Sequence, residues 1–191
     1  MPLATEELDL TGKILIAMPG MGDPRFAHSI VYMCAHSADG AMGLIVNKTM
    51  GKMTFSDLLE QLSIKETQGN RPMPLHFGGP VEGGRGFVLH SAEYRSQIST
   101  LPVDEFFSMT ATLDVLEEMA QGKGPDKALM ALGYSGWGPG QLEAEIADNG
   151  WLICDAGFEL VFDIADDQKW GAALKTLGVD PLTLSASAGH A

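Results

Sequence analysis

Two glycine-rich segments constrain the fold of this chain more than any other feature of its sequence. GGPVEGGRG occupies residues 78–86, and GYSGWGPG occupies residues 133–140. Glycine reaches backbone conformations that a Cβ atom excludes, and it lets two backbones approach closely. Short apolar runs flank both segments, so we expect tight corners between short strands. The 23 glycines among 191 residues extend this expectation to the rest of the chain.

Short apolar runs bounded by turn residues predict strands, and apolar side chains three or four residues apart predict helices. The predicted strands span residues 13–19, 28–36, 41–48, 75–77, 87–90, 106–111, 127–135, 151–155 and 159–162. The predicted helices span residues 54–64, 113–119, 139–148 and 166–177. Residues 1–11 and 180–191 are expected to be extended terminal segments.

Strands that occur both as hairpins and singly between helices favour an α+β fold with a mixed sheet. We expect one domain over residues 1–191. Asp39-Gly40 predicts a hairpin turn, and Thr54 with Asp57 predicts a helix cap. Six helix positions are predicted to face the core: Leu113, Leu116, Met119, Trp170, Leu174 and Leu177.

The charge distribution argues against two classes of partner. The net charge is −13, and the 12 basic residues are spread singly along the chain. Because nucleic-acid affinity rests on clustered cations, we expect neither autonomous DNA or RNA binding nor binding to an anionic membrane. Cys34 and Cys154 lie in apolar runs and are expected to be buried free thiols. The acidic N-terminus lacks a signal-peptide pattern, which favours the cytoplasm.

The segment around Ser135 has three interpretations: a nucleophile turn, an anion cradle or a structural corner. A nucleophile elbow needs Gly-x-Ser-x-Gly, but here the second glycine comes one position early. Pro139 suits the first position of the following helix, with Gly138 as its cap. Glu143 and Glu145 would repel a phosphate there. A structural corner is therefore the favoured interpretation, and the acidic helix face is either solvated or a docking surface for a basic partner.

The other glycine-rich segment has the glycine spacing of a phosphate-binding loop but not its chemistry. Arg85 and Gly86 replace the lysine and the hydroxyl residue, and Glu82 adds a negative charge. A glycine-rich β connection is the better interpretation. No histidine belongs to a metal-binding pair, although His76 and His90 could approach if their strands pair. Asn47 ends an apolar strand and suits either a turn or a ligand contact.

A second functional hypothesis is a small-molecule or hydrolytic site built from the GGPVEGGRGFVLH and GYSGWGPGQ segments. His90 would be the base, Ser135 or a water the nucleophile, and Trp137 the pocket wall. This hypothesis requires His90 and Ser135 to be neighbours. A distance of roughly 6 Å or more between them would exclude it.

Several blocks together resemble the AlgH (YqgE) family of bacterial proteins. They are GKILIAMPGMGDPRF, HSIVYMCAHS, GAMGLIVNK, HFGGPVEGGRGFVLH, GYSGWGPGQLEAEI and NGWL, with GHA at the end. The resemblance implies a bifurcated mixed sheet curled into a pseudo-barrel with flanking helices. It also implies a regulatory role, without an established enzyme activity, cofactor or metal. The matched motifs offer a candidate shared surface: Asn47, Gly79, His90, Ser135, Trp137, Gln141 and Glu145.

Taken together, these patterns favour a cytoplasmic protein that acts by binding a protein partner or a small ligand. Any effect on transcription would then be indirect, because no coherent basic stripe exists to hold DNA. Self-association into a homo-oligomer is compatible with the sequence, which indicates no particular interface.

Overall fold

The computed structural model describes residues 8–67 and 73–188. In this part of the chain the strands are β1 Lys13–Ala17, β2 Ile30–Ser37, β3 Gly40–Ile45, β4 Thr49–Thr54, β5 Pro74–Phe77, β6 Val81–Ser91, β7 Leu101–Pro102, β8 Phe107–Thr110, β9 Ala128–Trp137 and β10 Trp151–Asp155. The α-helices are α1 Phe55–Gln61, α2 Leu113–Ala120, α3 Gln141–Ala147, α4 Asp166–Thr176 and α5 Pro181–Ala188. A 3-10 turn covers Pro24–Phe26, and a π-helix covers Glu159–Asp163.

The sheet is mixed and forks at β9. Its main path runs β10-β1-β2-β3-β9-β6-β8-β7, while β4 and β5 form a side branch. One edge of β9 pairs with β6. The other edge pairs with β5 over residues 130–132 and with β3 over residues 135–137. The β5–β9 pair is parallel and the other strand pairs are antiparallel. The sheet is curled into a half-barrel, which confirms the α+β fold and the bifurcated mixed sheet.

Both faces of this sheet are buried, because helices cover each of them. Ile14 and Ile16 of β1 pack into a core that also contains residues of the π-helix and α4. The alternate residues Leu15 and Ala17 pack on the opposite face, in a cluster that includes Leu142 of α3. Successive strand residues point to opposite faces, so this single apolar run supplies two cores. A third cluster joins α1 and α2 to β5, β6 and β9.

Several local predictions are confirmed. The predicted hairpin forms, with Ala38 and Asp39 as the turn between Ser37 of β2 and Gly40 of β3. Thr54 and Asp57 form a capping box: Thr54 Oγ1 accepts from Asp57 N–H at 3.2 Å, and Asp57 Oδ2 accepts from Thr54 N–H at 2.9 Å. Cys34 and Cys154 are both buried and free.

Other local predictions are wrong. Residues 159–162 form part of a π-helix rather than a strand. The prediction failed because four residues are too few for the spacing of apolar side chains to distinguish a helix from a strand. Residues 181–188 form α5 rather than an extended segment, while residues 1–7 and 189–191 lie outside the described residues. Strand β6 begins at Val81, so most of the GGPVEGGRG segment is strand and not a connection between strands. Strand β4 was not predicted.

Two helix details also differ from the prediction. Leu113 and Leu177 are 55% and 41% exposed, because each lies at an end of its helix beyond the packed surface. Helix α3 begins at Gln141, after Gly140 with a φ of +74°, and not at Pro139. None of the described helices is long and apolar enough to cross a membrane.

Candidate functional site

Gly79 and Ser135, two of the predicted surface residues, build the fork of the sheet. A Cβ atom on Gly79, where φ is +154°, would lie 2.2 Å from the carbonyl carbon of Tyr134. A Cβ atom on Gly133, where φ is +74°, would lie 2.4 Å from the Gly79 oxygen. Ser135 is fully buried and its Oγ donates to Gly78 O at 3.1 Å. The glycine-rich segments therefore let two backbones approach closely. Ser135 has the structural role that was expected, but it lies within β9 and not at a corner.

The Asn47 side chain forms hydrogen bonds with two backbone groups at the start of β2. Its Oδ1 accepts from Ile30 N–H at 2.9 Å, and its Nδ2 donates to His28 O at 2.9 Å. Both ends of the amide are used inside the protein. Asn47 therefore holds the entry to β2 through one acceptor and one donor of its amide.

His90 is a satisfied core residue. It is fully buried, and burial lowers the pKa of its imidazole, which favours the neutral form. Nδ1 lies 2.9 Å from Ser91 O and must donate to it, because a carbonyl only accepts. Nε2 then accepts from Thr110 Oγ1 at 2.8 Å. Both ring nitrogens are occupied.

The predicted His90–Ser135 pair does not exist. The register places His90 opposite Ala128 on β9, and Ser135 lies seven residues further along that strand. At about 3.3 Å per strand residue, the separation is about 23 Å. The hydrolytic hypothesis with His90 as base and Ser135 as nucleophile is therefore wrong. His76 and His90 are not strand neighbours either, since β5 and β6 pair with opposite edges of β9.

Trp137, Gln141 and Glu145 secure helix α3 against the sheet. Glu145 Oε1 accepts from the indole N–H of Trp137 at 3.3 Å and from that of Trp151 at 3.2 Å. Gln141 Oε1 accepts from Gly138 N–H at 3.0 Å. The neighbouring Glu143 Oε1 lies 2.5 Å from Nε2 of His36. Two of the three carboxylates of the acidic helix are thus bound internally, which weakens its interpretation as a docking surface.

The two glycine-rich segments do border an open groove of about 740 Å³. Phe87 and Tyr134 line it, with ring centroids 5.8 Å apart. Arg85 lies over the Phe87 ring at 5.1 Å and 3.4 Å from Glu82. His90 and Ser135 do not line this groove. It offers an aromatic floor, the ion pair of Arg85 and Glu82, and the carboxylate of Asp39.

The more enclosed cavity, of about 430 Å³, was not predicted. It lies between β5, the start of β9, the loop after α2, the π-helix and the N-terminus of α4. Its walls include five apolar side chains: Phe55, Met73, Met119, Leu129 and Phe162. Three ionisable side chains form its polar end: His76, Asp166 and Lys169.

These three side chains form one hydrogen-bonded cluster. His76 Nε2 lies 3.1 and 3.0 Å from the two oxygens of Asp166. Lys169 Nζ lies 3.0 Å from Asp166 Oδ1 and donates to Val46 O and Val161 O, both at 2.7 Å. Lys169 is 2% exposed, so its ammonium is a buried cation with three acceptors.

Burial and pairing oppose each other in this cluster. Burial raises the pKa of Asp166, but the hydrogen bond from His76 and the charge of Lys169 outweigh it and leave that pKa below its usual value. Burial also lowers the pKa of Lys169, against the pull of Asp166. Since Asp166 is held as a carboxylate, it accepts from His76 Nε2–H and fixes that tautomer.

The second ring nitrogen of His76 has no hydrogen-bond partner in the described part of the chain. His76 is 5% exposed, and its Nδ1 is buried. In the neutral imidazole with the proton on Nε2, Nδ1 is an acceptor. A buried polar group without a partner costs about 1–3 kcal/mol, which makes this atom a candidate acceptor for a ligand donor. No group of three or more metal-ligating side chains occurs among residues 8–67 and 73–188.

Sequence reasoning missed this cluster because its members are far apart in the chain. His76 and Asp166 are separated by 90 residues. Asp166 and Lys169 are three residues apart at the start of a helix, where an acidic and a basic side chain are common on any solvated surface. The one available signal was a histidine in a short apolar strand, and this pattern is usually structural.

The chain resembles known proteins over almost its full length. A model of the AlgH-like family, DUF179, matches residues 14–182. A UPF0301 protein of Ruegeria pomeroyi is 60% identical over 185 residues, which cover 96% of this chain and 100% of that protein. A UPF0301 protein of Cereibacter sphaeroides is 57% identical over 184 residues, with coverage of 96% and 100%.

Two solved structures share the fold. The solution structure of the AlgH protein from Pseudomonas aeruginosa has a TM-score of 0.78 and 41% identity, and the match covers 100% of both chains. The crystal structure of protein DIP2367 from Corynebacterium diphtheriae has a TM-score of 0.69 at 19% identity, with coverage of 93% of this chain and 90% of that one. The second match shows the fold alone.

Proposed function

We propose that this chain, which belongs to the AlgH-like family, acts by binding a small molecule in the cavity beside His76. Any influence on transcription would then be indirect, through the liganded state of the protein. The observation that carries the proposal is the unpartnered Nδ1 of His76, in a side chain that lines a cavity of about 430 Å³. That volume falls within the range of known small-molecule sites.

The charge distribution supports a ligand-binding role over autonomous DNA binding. Five basic side chains are paired with carboxylates in the described part of the chain: Lys13, Arg25, Arg85, Lys127 and Lys169. They lie on separate elements, so they supply no continuous basic surface for phosphates. The proposal places the protein in the cytoplasm, where buried free thiols such as Cys34 and Cys154 stay reduced.

A cavity-blocking variant tests the proposal. Ala165 is exposed and lines the cavity at its rim, so Ala165→Trp would fill the entrance without disturbing the core. Ala144→Trp is the matched control, because Ala144 is exposed on α3 and does not line the cavity. A fragment library would be screened by ligand-observed NMR against the wild type and both variants.

We expect fragments that bind the wild type and Ala144→Trp but not Ala165→Trp. A library without any binder, or binders that Ala165→Trp leaves unaffected, would contradict the proposal.

The open groove supports a second candidate for ligand binding. Its floor of Phe87 and Tyr134 would suit a flat aromatic molecule stacked on the rings. Tyr134→Ala would remove half of that floor. Fragments lost in Tyr134→Ala and retained in Ala165→Trp would favour the groove over the cavity.

A further inference from the structure

We infer that the cavity beside His76 takes an uncharged molecule with an apolar body and an O–H or N–H donor aimed at His76 Nδ1. This inference rests on the proposed function and deepens it, because it names the chemical class of the ligand. Three features of the cavity carry it: the fixed histidine tautomer, the balance of charges and the apolar walls.

The tautomer decides which partner His76 can accept. Asp166 contacts Nε2 through both carboxylate oxygens, at 3.1 and 3.0 Å, and neither oxygen can donate while the group is ionised. Nε2 therefore carries a proton, and in the neutral imidazole Nδ1 presents a lone pair. A ligand carbonyl or ether at Nδ1 would leave two acceptors facing each other. A hydroxyl or amide N–H would satisfy the buried nitrogen.

The charges of the cavity leave no surplus for a charged ligand. Lys169 is paired with Asp166 at 3.0 Å, and Lys127 is paired with Asp163 at 2.8 Å. Lys123 and Asp126, the remaining charged side chains of the lining, are exposed and opposite in sign, so three lysines stand against three carboxylates. Burying an ion without a free counter-charge is costly, so an uncharged molecule is favoured over an anion or a cation.

The walls favour an apolar body on the ligand. Phe55 and Leu129 are almost fully buried, and Met73 and Met119 add flexible thioether side chains. Methionine adapts to irregular shapes and packs well against aromatic rings. The cavity thus offers one buried acceptor at its polar end and adaptable apolar surface elsewhere.

Three matched probes test the inference: 2-naphthol, 2-methoxynaphthalene and 2-naphthoate. They share an aromatic body but differ in donor and charge. We expect 2-naphthol to bind roughly tenfold more tightly than 2-methoxynaphthalene, since one hydrogen bond to a buried acceptor separates them. We expect 2-naphthoate to bind more weakly than 2-naphthol. Equal affinities for the first two, or a preference for the carboxylate, would overturn the inference.

Two variants connect the preference to His76. In His76→Phe the acceptor is lost, so 2-naphthol and 2-methoxynaphthalene should bind equally. In Asp166→Asn the tautomer is no longer fixed, so the preference for 2-naphthol should shrink. Retention of the full preference in both variants would contradict the inference.

A measurement on the unaltered protein avoids dependence on the folding of these variants. Nitrogen-15 NMR of the imidazole distinguishes the protonated from the unprotonated nitrogen of His76. We expect 2-naphthol to shift the Nδ1 resonance toward that of a hydrogen-bonded nitrogen, and 2-methoxynaphthalene to leave it in place. An Nδ1 that already carries the proton in the free protein would overturn the inference.

The two proposals can fail separately. If the library yields fragments that Ala165→Trp blocks but none of the naphthalene probes shows the expected order, the ligand class is wrong and the site remains. If no fragment depends on the cavity, the proposed function itself is wrong.

Discussion

At the scale of single residues, Glu145 joins α3 to two strands through one oxygen atom. Its Oε1 accepts from the indoles of Trp137 and Trp151, which are 7% and 2% exposed. Glu145→Leu would leave both buried N–H groups without an acceptor. We expect the free energy of unfolding to fall by about 2 kcal/mol or more, measured by urea denaturation with tryptophan fluorescence.

Glu145→Gln is the matched control, because an amide oxygen can still accept from both indoles. We expect it to lose about 1 kcal/mol or less, the difference between a charged and a neutral acceptor. A Glu145→Leu protein as stable as the wild type would show that the two indole hydrogen bonds do not contribute to the free energy of unfolding.

Residue roles were the hardest feature to predict from the sequence. Asn47, Ser135 and Glu145 were singled out as part of a candidate functional surface, but their polar atoms make hydrogen bonds within the protein. The residue types and local spacing could not show this, because the partners come from other elements. The His76–Asp166 contact was invisible for the same reason, since only the folded sheet brings β5 to the start of α4.

At the scale of elements, Asp114 ties the loop before β7 to the first turn of α2. Its carboxylate accepts from Ser96 Oγ at 2.5 Å, from Gln97 N–H at 3.1 Å and from the Thr112 hydroxyl. Burial raises the pKa of Asp114, but these hydrogen bonds outweigh it and leave the pKa below its usual value of 3.8. The ionised carboxylate therefore holds the loop in place.

This shift predicts how stability depends on pH. A lowered folded-state pKa means that the stabilisation is complete above the unfolded value of 3.8 and is lost as the pH falls through the folded value. We expect Asp114→Asn to be less stable than the wild type at neutral pH, and to lose less stability between about pH 5 and about pH 2. Urea denaturation at each pH measures both effects.

Asp39→Asn, in the exposed turn between β2 and β3, is the control for loss of a negative charge. We expect it to follow the wild-type pH profile more closely than Asp114→Asn does. Identical profiles for Asp114→Asn and the wild type would contradict the assigned role of Asp114.

Helices and strands with regularly spaced apolar residues, or with recognisable capping or turn residues, were predictable from the sequence. The capping box at Thr54 and the hairpin at Asp39-Gly40 are formed by neighbouring residues, so local sequence specifies them. The π-helix over Glu159–Asp163 was not predictable, because burial of Leu160 and Val161 suits a strand or a helix equally well. Tertiary packing decides whether such a short apolar segment forms a strand or a helix.

At the scale of the whole molecule, the sign and distribution of charge predict weak affinity for nucleic acid. With a net charge of −13 and basic residues on separate elements, few phosphate contacts are available. We expect a duplex DNA probe to bind the purified protein no more tightly than about 100 μM at physiological salt. Fluorescence anisotropy measures this affinity, and submicromolar binding that weakens steeply with salt would contradict it.

The forked sheet determines when this chain can fold during its synthesis. Strands β3, β5 and β6 all pair with β9, which ends at Trp137. One edge of β1 pairs with β10, which is Trp151–Asp155 and is synthesised later still. A growing polypeptide that has reached only its first 120 or so residues therefore exposes several unpaired strand edges. Such edges invite aggregation, so we expect the nascent chain to need shielding until its last third has been translated.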